Sequence, residues 1–363
     1  MSSADLPGRR ELFAIVVTSA VAGFAMGALR PALHVAVEGA QVAAGIVAYE
    51  DGNPFGLYQK SVWTLWHQLL APFLAAGVHE RTLCVVVSGL IGTLPFVGLA
   101  LLARAAGAPA WLACALPFVV VEANPAGWGF RYGIYLLGQG HTYGAAGLAW
   151  QLVTLGLFGV GAWRAGAFAL GLGPAVHASL GAWVAFASGV CALLSWRSLL
   201  AHARELAIGG ALGALVAGAS LAVHLAGAPR PEVDPAQASV HLDAFVRLWD
   251  AHRVPPNLAG WRTATAILAV ALAWLASVRD DRAAATRFAF RVLAFAAVVG
   301  LAMGALQHAV AADALPELLQ IAMPTRLLNL PMIAFPALAA GVLWRRRQLA
   351  TAQAGLAVLF VGA

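Results

Sequence analysis

Apolar runs long enough to cross a bilayer recur from one end of the chain to the other, and this leaves few folds open. A spanning helix needs about 18–20 apolar residues. Such runs cover Leu12–Leu29, Thr82–Ala103, Gly144–Trp163, Leu206–Ala226, Leu258–Val278 and Phe288–Leu306, with shorter ones at Pro109–Val121 and Leu330–Trp344. Lipid offers no water to bare N–H and C=O groups, so only helices and closed barrels can span it. The runs are continuous rather than alternating, which excludes a barrel. The expectation is an all-α polytopic transmembrane helix bundle of about 9–11 membrane segments, with residues 1–363 forming a single integral membrane domain. Charged residues make up only 10% of the chain, against about 25% in soluble domains. No polar stretch is long enough to bury a core of its own.

The ends of the chain carry two smaller expectations. Arg9 and Arg10 precede the first run. That run is long enough to span and lacks a small-x-small cleavage site, so a retained first helix is expected rather than a cleaved leader. The last apolar stretch, Leu356 to Ala363, stops mid-span and suggests a half-inserted or truncated helix.

The formal charge of +6 does not point to nucleic acid. Most of the arginines stand singly between spans, where they set membrane orientation. Cys84, Cys114 and Cys191 fall in apolar segments without paired spacing, so no disulfide framework or cysteine metal site is read. There is no Walker A, Rossmann, His-Glu-x-x-His, nucleophile-elbow or kinase signature.

Three stretches interrupt the cadence. Arg30–Arg81 is too polar for a span and too apolar for an ordinary loop. It predicts two amphipathic surface helices joined by the turn Asp51-Gly52-Asn53-Pro54. Trp63, Trp66, His67 and Gln68 suit an interface better than a lipid core. Glu122–Tyr143 is a second polar and aromatic segment. Ala165–Trp196 is too long for one span and is broken at Gly171-Leu-Gly-Pro-Ala-Val-His177, the pattern of a discontinuous helix or a tight hairpin. Gly209 and Gly213 in the following span have close-packing spacing. A further external loop covers residues 227–256, with a short helix at Gln237–His252.

Basic residues give the orientation. With the N-terminus in the cytoplasm and Arg30–Arg81 outside, thirteen of the 22 basic residues and five of the 16 acids lie inside. The Arg345-Arg346-Arg347 run agrees with this bias. The expected location is a bacterial cytoplasmic (inner) membrane, multi-pass, with a cytoplasmic N-terminus. Nine of the ten histidines then gather outside, and only His202 is inside. Polar groups collected on one side suggest a cavity opening there.

Candidate site residues follow from that side. Glu38 is the leading acid. His34, Glu38 and Gln41 share a helix face by spacing, and a carboxylate there suits a general base or a ligand to a divalent cation. Glu50 and Asp51 read as turn formers. His141 and His177 each lie beside a glycine-broken segment at a span entrance. Arg131 and Arg326 are the outside cations closest to apolar spans, and guanidinium suits phosphate oxygens. Trp128, Tyr132, Tyr135 and Tyr143 form either a sugar-stacking wall or an interfacial aromatic belt. His79, His241 and His252 read as solvated loop residues.

One span, a long external loop with surface helices and an acid, then a many-helix bundle: this layout resembles the multi-spanning glycosyltransferases of the C superfamily (GT-C). The runs Gly138-Gln-Gly-His-Thr-Tyr-Gly144, Gly171–His177 and Met323-Pro-Thr-Arg326 are similar to those of bacterial polytopic membrane proteins with this plan. The resemblance implies transfer of a sugar from a polyprenyl-phosphate-linked donor to an acceptor on the outer face of the membrane. It implies Glu38 as base or metal holder and Arg326 facing the donor phosphate. Implied partners are membrane lipid and the polyprenyl-linked donor, and no nucleic acid. Two other readings stand beside it. The broken segment at His177 suits a transporter or flippase of a lipid-linked sugar or small solute. The lack of sharp motifs suits a non-catalytic membrane assembly subunit.

Overall fold

In the computed structural model of the chain, residues 7–32, 37–50, 53–122, 136–137, 143–228, 240, 284–310, 314–346, 350 and 353 are described, and all regular structure within them is helical. Five helical stretches are long and apolar enough to cross a membrane: Arg9–Leu29, Glu80–Ala106, Trp196–Gly227, Ala284–Ala309 and Leu318–Arg345. Shorter apolar helices cover Ala110–Val121, Gly144–Gly159 and Ala178–Leu194. The all-α polytopic bundle expected from the apolar runs is what the chain forms.

The bundle is built around α5 (Glu80–Ala106). The His79 ring caps its start by accepting from the Arg81 N–H, and Gly107, at φ 107°, ends it in the left-handed conformation glycine tolerates. From Leu99 to Ala103 α5 is fully buried. Helix α1 (Arg9–Leu29) runs antiparallel to it in near backbone contact. A Cβ on Gly23 would collide with the Gly92 carbonyl, and one on Gly27 with that of Ser88. At the other end of the pair, Arg104 holds Glu11 through Nε at 2.8 Å and Nη2 at 3.3 Å. Lipid tails are as apolar as leucine, so such close helix packing, rather than withdrawal from water, drives association of spans.

Helix α6 (Ala110–Glu122) returns from Gly107. Helix α7 (Tyr143–Gly159) then runs parallel to α5, with Gly98 against Leu152 and Gly156 against Leu101. A turn through Gly161, at φ 79°, leads into α8 (Trp163–Val176), antiparallel to α7, and Trp150 Nε1 donates to the Ala169 carbonyl at 2.8 Å.

The broken segment is a hairpin. Helix α9 (Ala178–Leu194) follows α8 after the single residue His177. Gly173 and Gly181, four residues to either side, meet backbone to backbone; a Cβ on Gly173 would lie 3.4 Å from the Gly181 Cα. A short α10 (Trp196–Leu199) and a 3-10 turn (Leu200–His202) lead to α11 (Ala203–Gly227). This helix lies parallel to α8 along Gly209, Gly213 and Ala217. A Cβ on Gly209 would strike the Arg164 carbonyl, and one on Gly213 that of Phe168, so the glycine spacing does serve close packing.

Helix α12 (Ala284–Ala309) fills the middle of the bundle beside α7 and α9. Thr286 donates to the Gly159 carbonyl at 3.0 Å, and Arg291 Nη1 donates to Ser195 Oγ at 2.7 Å. Helix α13 (Glu317–Ala322), a 3-10 turn (Pro324–Leu328) and α14 (Asn329–Arg345) complete the described bundle, with α14 parallel to α5.

These pairings give the bundle two unlike ends. One end gathers Arg9, Glu11, Arg104, Arg164, Arg197, Arg204, Arg291 and Arg345. The other carries the Arg30–Arg81 stretch, His177 and the 3-10 turn at Pro324. We refer to them as the arginine end and the loop end.

The Arg30–Arg81 stretch holds the helices expected of it, in smaller pieces. Ahead of the turn stands α2 (Glu38–Ala43), stopped by Gly45 at φ 72°. Asn53 caps α3 (Pro54–Ser61) by accepting from the Phe55 and Gly56 N–H groups, both at 3.0 Å. The helical segment after the turn then breaks at Val62-Trp63-Thr64, and α4 (Leu65–Ala75) starts afresh. Thr64 causes the break: its extended backbone and side-chain oxygen, which accepts the Trp66 N–H, make it an N-cap. The span expected at Leu258–Val278, most of the 227–256 loop, most of Glu122–Tyr143 and the 356–363 stretch lie outside the described residues.

Candidate functional site at the loop end

The loop end is a platform clamped onto the hairpin and α11. Thr64 Oγ1 donates to the Val176 carbonyl at 3.1 Å, satisfying an acceptor that the end of α8 would otherwise leave open. Trp63 Nε1 donates to Ser220 Oγ at 3.1 Å. Gln68 closes the other side of that hydroxyl: Ser220 Oγ donates to Gln68 Oε1 at 2.7 Å, and Gln68 Nε2 donates to the Ser220 carbonyl at 2.8 Å. Trp63, Leu65 and Trp66 cover Leu172, Val176 and Ala217. The aromatic and amide residues that suggested an interface therefore bind protein.

His67 is the least expected member of the platform. Only 5% exposed, it faces α2, where Gly39 leaves just enough room for its ring. A Cβ on Gly39 would fall inside the imidazole. Burial, with His224 nearby as a second cause, pushes its pKa from 6.5 down to about 4. The ring is neutral at ordinary pH. The nearest signal in the sequence is the Glu38-Gly39 pair, where a glycine opens an otherwise apolar helix face.

Two of the expected site residues come together. His177 forms the one-residue turn between α8 and α9, and the Arg326 guanidinium acts on its ring electrostatically. His177 Nδ1 accepts a long bond of 3.4 Å from the Leu180 N–H and lies 3.5 Å from Ser179 Oγ. A cap of this kind needs an unprotonated Nδ1, which leaves the ring proton on Nε2 as a donor. Arg326 follows a strained corner of the backbone. Met323 adopts φ 43° and ψ 64°, rare for a residue with a side chain, and Pro324 follows it into the 3-10 turn. Trp183 Nε1 pins this corner by donating to the Ala322 carbonyl at 3.0 Å. The pair thus offers an imidazole N–H and a guanidinium at one corner, a donor set suited to an anion such as phosphate.

The corner continues inward through polar side chains that sequence reasoning passed over. Gln151 on α7 is fully buried, and neither amide atom has a hydrogen-bond partner among the described residues. A Cβ on Gly173 would come within 3.0 Å of its Nε2. The Oδ1 of Asn329, at the start of α14 and 3% exposed, is likewise unpartnered there. Both residues stand alone within apolar runs, where composition gives no hint that they face inward.

Glu38 takes a different position. It opens α2, half-buried, and α2 packs with α4 and α5 through Val37, Ala40, Leu70, Leu74 and Cys84. Ala146 belongs to that cluster, whereas the adjacent Gly147 abuts His177. The first turns of α7 therefore join both the cluster that holds α2 and the His177 corner, on neighbouring residues. His34, Arg131 and His141 lie outside the described residues. Glu50 is exposed, and its carbonyl accepts from the Asn53 N–H at 3.0 Å, as a turn residue's does. His79 is a helix cap. Among the described residues no three His, Cys, Asp or Glu side chains gather as a metal site.

No protein-family model matches the chain, and no curated protein or solved structure is significantly similar to it.

Proposed function

We propose that this is a GT-C-like membrane glycosyltransferase that takes a sugar from a polyprenyl-phosphate-linked donor and passes it to an acceptor at the loop end, on the outer face of a bacterial cytoplasmic membrane. The observation that supports the reading is that Arg326 lies close enough to His177, at the hairpin turn beside the docked platform, to act on it electrostatically. A phosphate arriving from the lipid would meet a guanidinium and an imidazole N–H at the level of the helix ends. In this reading Glu38 takes the proton of the acceptor hydroxyl. The oxygen attacks the anomeric carbon, the bond from that carbon to the phosphate oxygen breaks, and polyprenyl phosphate leaves against Arg326. Where a divalent cation takes part, Glu38 is the residue that would hold it. The cytoplasmic placement of the arginine end follows from its positive charge.

The test is sugar transfer by the purified protein in liposomes, using a labelled polyprenyl-phosphate sugar. Glu38→Gln should abolish transfer while leaving donor binding intact, and Arg326→Gln should weaken binding. Transfer retained in Glu38→Gln removes Glu38 from the base role.

A second reading, a transporter or flippase of a lipid-linked sugar, draws on one different observation. Gln151 sits fully buried, without a hydrogen-bond partner among the described residues, beside the Gly173–Gly181 contact of the hairpin. Unpaired polar groups at helix breaks mark solute paths in membrane proteins. Movement of the labelled lipid between leaflets without transfer of its sugar would favour this reading.

A further inference from the structure

The arginine end holds a second feature, on the opposite face of the bundle from the platform. The start of α1, the turn between α7 and α8, and the start of α11 enclose a groove of ≈ 710 Å³. Three arginines are among the residues that line it: Arg9, Arg164 and Arg204. They come from three separate elements. One carboxylate, Glu205, is also present, and it lies 3.8 Å from His202 Nδ1. None of the three arginines has a hydrogen bond or ion pair with its side chain among the described residues.

Two further facts make the groove more than a collection of interface charges. First, packing holds together the helix starts that carry two of the cations. Gly209 lets α11 touch the Arg164 carbonyl, and Trp163 stacks on His202 at 4.8 Å between ring centres. The α8 and α11 starts are locked side by side, which keeps the backbones of Arg164 and Arg204 on one rim. Second, the rest of the lining is apolar: Leu12, Val160, Trp163 and Ile208. Beyond the groove, α1 and α11 present exposed Phe13, Val17, Leu212 and Leu215. A cationic rim above an apolar wall matches both halves of an amphiphile.

We infer that this groove is the headgroup site of an anionic phospholipid in the leaflet at the arginine end. The lipid phosphate sits among Arg9, Arg164 and Arg204, and an acyl chain runs along Leu12 and Ile208. A zwitterionic lipid would bring a cation of its own to a rim already rich in positive charge. A soluble phosphate would leave the apolar wall unused.

The experiment is native mass spectrometry of the full-length protein in detergent, titrated separately with phosphatidylglycerol, phosphatidylcholine and inorganic phosphate. Phosphatidylglycerol should bind as a discrete adduct and phosphatidylcholine far more weakly. Arg164→Gln with Arg204→Gln should weaken phosphatidylglycerol about 10- to 30-fold, from the usual contribution of a basic residue near an anionic surface. Arg197→Gln with Arg346→Gln removes the same charge from the same end outside the groove and should leave the adduct unchanged. Arg9→Gln, at an exposed helix start, guards against a folding defect in the first pair and should weaken the adduct about fivefold by the same reasoning. Equal losses in the two double variants would reduce the effect to diffuse charge and overturn the inference. So would full binding by Arg9→Gln, equal affinity for phosphatidylcholine, or displacement of phosphatidylglycerol by inorganic phosphate.

Discussion

Thr64 starts one helix and finishes another. Its Oγ1 accepts the Trp66 N–H at 3.3 Å, opening α4, and donates to the Val176 carbonyl at 3.1 Å, closing α8. The side chain is only 2% exposed, so no water substitutes for either bond. The platform and the hairpin share one hydroxyl, and the bond it makes between them joins residues 112 positions apart in the chain.

Thr64→Val keeps the shape of that side chain and removes both bonds. Leaving the buried Val176 carbonyl unpaired costs about 1–3 kcal/mol, and the lost cap adds about 1 kcal/mol. The expected outcome is a lower unfolding temperature in detergent, together with faster proteolysis between α3 and α4. Wild-type proteolysis in the variant would show that the platform is held elsewhere.

His67 makes stability depend on pH in one direction. Its folded-state pKa is about 4, against 6.5 for the free side chain. Between those values the unfolded chain binds a proton that the folded protein refuses. Stability from this group is therefore complete above pH 6.5 and is lost as pH falls toward 4, by about 3 kcal/mol in all. Unfolding temperatures measured from pH 7.5 down to pH 4.5 should fall more steeply for wild type than for His67→Gln. Parallel curves would mean that the ring protonates freely in the folded state.

Gly39 and His67 should behave as one unit. Gly39→Ala puts a methyl group where the imidazole stands, and overpacking of this kind costs about 1–3 kcal/mol. His67→Ala should also destabilise. Because each change removes the other's problem, the double variant should be more stable than the sum of the two singles predicts. Strict additivity in a thermal-unfolding cycle would rule out the contact.

Orientation can be read with introduced cysteines. Ser61 and Ser198 are both exposed, one at the loop end and one at the arginine end. In right-side-out spheroplasts a membrane-impermeant maleimide should label Ser61→Cys at once and Ser198→Cys only after permeabilisation. The reverse pattern would invert the protein and move the proposed chemistry to the cytoplasmic face.

The spans were legible because their signal is length and apolarity, which lipid enforces residue by residue. Leu330–Trp344 anticipates α14 within a residue or so at each end, and Thr82–Ala103 lies inside α5. The spacing of Gly209 and Gly213 anticipated a close helix contact but not its partner, since either face of α8 would satisfy the same pattern. The break at Gly171–His177 was visible, while its geometry was not. A kinked span and a hairpin need the same glycine and proline, and only the Gly173–Gly181 contact separates them. At the site, His177 and Arg326 could be named from their places at helix ends. Gln151, Asn329 and the fit of His67 on Gly39 could not. Each depends on which side of a helix meets a neighbour, and a helix apolar all round carries no record of that.

The glycine seam between α8 and α11 has a mechanical corollary. Backbones that touch along Gly209 and Gly213 leave no lubricating layer of side chains between them. The two helices, with the platform bolted to Val176 and Ser220, form one packed block. Lifting the platform from this block means breaking its bonds to both helices, at Val176 and at Ser220.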